Sequence, residues 1–110
     1  QVDMRPLGTA APGSRSEFRQ QVDALKRQGR FVEYQISKLE QEKKLQSEAL
    51  KAELYKLRRS FPKAEELATL QQRIDRMEQS FDEKIAAEQS NLASLQQKTS
   101  SLERQYAKNN

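Results

Sequence analysis

The sequence contains no cysteine, no histidine and no tryptophan, and only three glycines and three prolines among its 110 residues. Without cysteine there is neither a disulfide framework nor a thiolate site, and the redox compartment stays open. Without histidine the commonest metal ligand and general base is missing. No apolar run approaches the ~20 residues that cross a bilayer, and residues 1–16 lack the apolar stretch of a signal peptide. Localisation is therefore not legible. Large apolar residues are also scarce: 35% of the chain is hydrophobic and 33% is charged. So polar a composition suits disorder or long helices that bury one narrow stripe, not a compact globule.

Periodicity favours helices. Apolar residues fall at Phe18, Val22, Leu25, Val32, Ile36, Leu39, Leu50, Leu54 and Leu57, with Gly29, Lys43 and Gln46 in the intervening register positions. A second series runs through Leu67, Leu70, Ile74, Phe81, Ile85, Leu92, Leu95, Leu102 and Tyr106, with Glu78, Glu88 and Thr99 at the weak positions. Steps of three and four alternate in both, which is the seam of a coiled coil. Leu, Lys, Glu, Gln, Arg and Ala dominate both stretches, in keeping with their helix propensity. The expectation is an all-α chain: helix one over about 15–60, a turn over about 59–63 and helix two over about 62–108.

Residues 1–14 hold two prolines and two glycines and show no period, which predicts an extended or flexible N-terminal arm. Ser14 followed by Glu17 matches a capping box for the first helix. The run Gly13-Ser14-Arg15-Ser16-Glu17-Phe18 is also what consecutive cloning sites would encode, so part of the arm has two possible origins. Between the series, Pro62 cannot donate a helical hydrogen bond and pushes Phe61 out of the α region. Ser60 is the candidate N-cap of helix two, with Glu65 and Glu66 near its positive dipole end.

A reversal at Pro62 pairs residues equidistant from it: Val22 with Leu102, Val32 with Leu92, Leu39 with Ile85, Leu50 with Ile74, Leu54 with Leu70, and Leu57 with Leu67. Consecutive steps of four at Gln46, Leu50 and Leu54 are mirrored at Leu70, Ile74 and Glu78, and a shared stutter argues for pairing within one chain. Gln46 opposite Glu78 lacks an apolar member, and Leu45 and Met77 stand beside them as substitutes. The reading is an antiparallel coiled-coil hairpin. An oligomer of long helices, or a disordered chain that folds on binding, accounts for the same pattern.

Function follows from what such a hairpin presents. Residues 51–63 carry Lys51, Lys56, Arg58, Arg59 and Lys63 against Glu53 alone, so five minus one gives +4, equal to the net charge of the whole chain. Lys56, Arg58, Arg59 and Lys63 are candidate tip contacts for phosphates, anionic lipid or an acidic protein surface; equally, they suit the negative dipole end of helix one. Phe31, Tyr34 and Tyr55 fall outside the seam and are candidate docking aromatics, or ordinary exposed residues. Glu40, Glu42, Glu65, Glu66, Asp82 and Glu83 read as solvated surface charges, because a two-helix seam has no cavity to shift their pKa values. No phosphate-binding glycine loop, nucleophile–histidine pair, calcium loop or zinc spacing occurs. The sequence thus predicts a protein that is not an enzyme and takes no cofactor. Its predicted role is a structural or adaptor subunit that docks to protein partners in a homo-oligomer or larger assembly. Binding of nucleic acid or an anionic surface through the basic tip is the alternative.

Overall fold

In the computed structural model, residues 15–109 are described. They form two helices, α1 (Arg15–Arg58) and α2 (Ala64–Asn109), with no strand among the described residues. The fold is an all-α helical hairpin, as the paired stripes predict. The expected arm over residues 1–14, and Ser14 as a cap, lie outside the described residues.

Pairing is set out within two compact units. In the unit made of residues 34–89, Leu54, Leu70 and Ile74 form the buried core, and Leu50, Leu57 and Leu67 pack against it. The expected partners Leu50–Ile74, Leu54–Leu70 and Leu57–Leu67 therefore share one cluster. Ile74 is only 2% exposed, and Phe81 is buried as well. In the unit made of residues 15–33 and 90–109, Val22 is buried while Leu25, Val32, Leu92, Leu95 and Leu102 are half-buried. There Phe18 stacks on Tyr106 with ring centroids 4.0 Å apart. These two residues are also equidistant from Pro62, and stacked rings add attraction beyond the area they cover.

One seam position differs from expectation. Gln46 and Leu45 are exposed, and Ser47 is buried in their place. Its hydroxyl donates to Glu78 Oε2 at 3.0 Å, so the small side chain enters the seam by satisfying a carboxylate that also stands there. An apolar Leu45 would leave that carboxylate unmet. The consecutive steps of four on α1 accordingly fall at Leu39, Lys43 and Ser47, not opposite those at Leu70, Ile74 and Glu78. The hairpin stands, but the mirrored stutter offered for it does not.

The turn also departs from the sequence reading. Helix α1 closes with Arg59 N–H and Ser60 N–H donating to the carbonyls of Lys56 and Leu57, and Ser60 Oγ donates to the Leu57 carbonyl at 2.7 Å. Ser60 thus finishes α1 and does not cap α2. The N-cap role falls to Lys63, whose carbonyl accepts from Glu66 and Leu67 and whose N–H donates to Glu66 Oε1 at 3.3 Å. That last bond is the reciprocal half of a capping box. Helix two consequently starts at Ala64, later than the expected residue 62.

Phe61 leaves the right-handed α region, as a residue before proline should, but enters the left-handed one with φ 56°. Helices commonly end on such a residue, usually Gly, because it turns the chain away while the last carbonyls still find donors. No glycine stands here, so Phe61 takes a conformation that disfavours its Cβ by about 1–2 kcal/mol.

Candidate functional site

The tip candidates are brought together by the turn, though not as one uniform cluster. Lys56 and Arg58 occupy the last turn of α1, Arg59 follows it, and Lys63 caps α2. Arg59 leans back over the Tyr55 ring at 5.6 Å and donates from Nη1 to its hydroxyl at 3.2 Å. The pair stacks a cation on a π face and ties one phenol to the turn. Glu65 and Glu66 in the first turn of α2 border the same surface. They offset two of the four positive charges, so the excess there is smaller than the run 51–63 suggests.

Phe61 is 97% exposed. The sequence places Phe61 at the break and, with Tyr55, as one of the two aromatics of the tip, without marking it as a contact residue. Its position before proline in a turn without glycine was the available signal.

The docking candidates Phe31, Tyr34 and Tyr55 are exposed, and Leu45 joins them. Among the described residues, every large hydrophobic in this class lies on α1 or in the turn and none on α2. Within the unit 34–89, Tyr34, Leu45 and Tyr55 share an arc of about 80° at 100° per residue, centred roughly 160° from the seam residues of the same helix. Helix α1 therefore has a second, sparser apolar face pointing away from its partner.

Exposed ion pairs flank the Ser47–Glu78 bond. Lys43 Nζ donates to Asp82 Oδ1 at 2.7 Å, and Lys51 Nζ stands 3.7 Å from Glu78 Oε2. The hydrogen bond to Asp82 holds the Lys43 ammonium above its usual 10.5, aided by the charges of Asp82 and Glu78 and opposed by desolvation. Of the carboxylates read as surface charges, Asp82 is thus engaged across the seam.

In the unit of residues 15–33 and 90–109, Gly29 opens a groove whose floor is Leu25, Leu92 and Leu95 and whose rim carries Lys26 and Arg30. Thr99 in the same seam hides its hydroxyl by donating to the Leu95 carbonyl at 2.9 Å. Among the described residues, no group of three or more acidic side chains is placed to hold a metal ion, and no helix is long and apolar enough to cross a membrane. No family model, curated protein or solved structure matches this chain.

Proposed function

We propose that this chain is a non-enzymatic structural or adaptor subunit that docks to other helices or subunits in a homo-oligomer or multiprotein assembly. One observation carries the reading: the outward apolar face of α1, with Tyr34, Leu45 and Tyr55 each more than half exposed. Two paired helices bury their apolar residues along one seam, and a second apolar stripe on the opposite side of only one helix contributes nothing to that pairing. Packed against a further helix, the same residues would lose water contact and gain neighbours. Aromatic side chains are well suited to this, since they cover much area with few rotatable bonds.

The thin core supports the same reading. A two-helix seam is a small cohesive unit, and pairing with additional helices is the ordinary way for such a scaffold to gain stability. Light scattering with sedimentation over a range of concentrations tests it. Self-association or partner-dependent ordering should weaken when Tyr34, Leu45 and Tyr55 are replaced together by Ser, Gln and Ser. A chain that stays a stable, compact monomer and gains no order with candidate partners counts decisively against the proposal.

A further inference from the structure

We propose that the turn of the hairpin is a second, separate binding site, at which Phe61 inserts into the interface of an anionic lipid bilayer while Lys56, Arg58 and Lys63 contact its headgroups. The inference starts from an anomaly in Phe61. Its backbone is left-handed at φ 56° and the residue is 97% exposed. Folding gains nothing from this side chain: it covers no core residue, and Gly or Asn would occupy the same φ at lower cost. A bulky ring held outward at the apex of a turn is therefore explained by something outside the chain.

The surroundings indicate what that is. The grooves beside the turn have Leu57 and Thr69 in one wall and Leu54 and Tyr55 in another, and Phe61 lines neither. The ring thus projects clear of the concave surfaces that would track a strand. A single-stranded nucleic acid is held by successive stacking aromatics along a charged groove. Here the other aromatic, Tyr55, has one face covered by the Arg59 guanidinium and lies in a groove that Phe61 does not line, so the two rings form no continuous stacking track.

A planar interface needs no groove. It requires an apolar group that reaches below the headgroups and cations that stay level with them. Phe61 supplies the first. Lys56, Arg58 and Lys63 supply the second, and all three are exposed. Glu65 and Glu66 weaken the attraction, so contact through one turn should be weak and salt-sensitive, and should gain strength when several chains present their turns together. The site shares with the outward face of α1 the Arg59–Tyr55 contact, while Phe61 and Lys63 lie outside that face.

Cosedimentation of the full chain with vesicles of phosphatidylcholine alone and of phosphatidylcholine with phosphatidylserine, at low and moderate salt, is the direct test. The expected result is binding to the anionic vesicles only, falling about fivefold for each basic residue changed to Gln. Phe61→Gly should lower it about tenfold or more, while circular dichroism shows the helices intact, because glycine accepts the left-handed φ and relieves the turn. Phe61→Leu should retain most of the binding. The proposal is overturned if anionic vesicles fail to bind at low salt, if neutral vesicles bind equally well, or if Phe61→Gly binds like the parent chain. Salt-sensitive binding of a single-stranded oligonucleotide in place of vesicles would assign the turn to nucleic acid and overturn it too.

Discussion

The unit of residues 34–89 and the unit of residues 15–33 with 90–109 use one seam pattern in two ways. The first buries Leu54, Leu70, Ile74 and Phe81 and crosses its seam with Lys43–Asp82, Lys51–Glu78 and Arg73–Glu53. The second buries Val22 and leaves Leu25, Leu92, Leu95 and Leu102 all half-buried, in a seam that also holds Gly29 and Thr99. The same alternation of three and four therefore does not give equal cohesion. What differs is the volume of side chain delivered to each layer: a glycine or a threonine brings few atoms, so its neighbours remain wet. Local opening should follow that difference, with amides of 34–89 exchanging more slowly than those of 15–33 and 90–109.

The largest expected effect comes from breaking the stronger unit. Ile74→Ala removes the most enclosed apolar side chain and should cost about 3 kcal/mol in denaturant unfolding, in the range for buried Ile-to-Ala changes. Leu92→Ala, at a half-buried site in the other unit, should cost less than about half as much. Equal losses would erase the contrast. The weaker unit can be strengthened instead. A Cβ built on Gly29 meets Leu92 Cδ1 at 3.7 Å, an ordinary contact. Gly29→Ala should therefore stabilise by about 1 kcal/mol through helix propensity, with slower amide exchange concentrated in 22–33. If the gain is absent, the groove beside Gly29 must be read as strained or occupied.

The smallest effect concerns pH. Because the folded state raises the Lys43 pKa, its contribution is fully present below the unfolded lysine value and is lost as pH rises through the folded one. Stability measured above pH 10.5 should thus fall more steeply in the parent chain than in Lys43→Met, the tyrosines being common to both. Parallel curves would show that the bond to Asp82 contributes nothing to the seam of 34–89.

The two helices, the position of the reversal and the partners nearest the turn follow from residue order alone, because steps of three and four leave one stripe per helix and Pro62 divides them. Phe18 and Tyr106 stack where that reading puts them. It also identified Phe31, Tyr34 and Tyr55 as lying off the seam, since exposure on a helix follows from angle alone. Tertiary structure decided what angle cannot. Gln46 and Ser47 are adjacent polar residues, both compatible with a step of three or four, and only Glu78 on the opposite helix selects the serine by accepting its hydroxyl. Leu45 stays outside for the same reason. At the turn, Ser60 had carbonyls before it and amides after it, and the closing geometry of α1 assigned it to the carbonyls. With Lys63 capping α2, the reversal was left to Phe61, whose left-handed backbone no local preference of phenylalanine would choose.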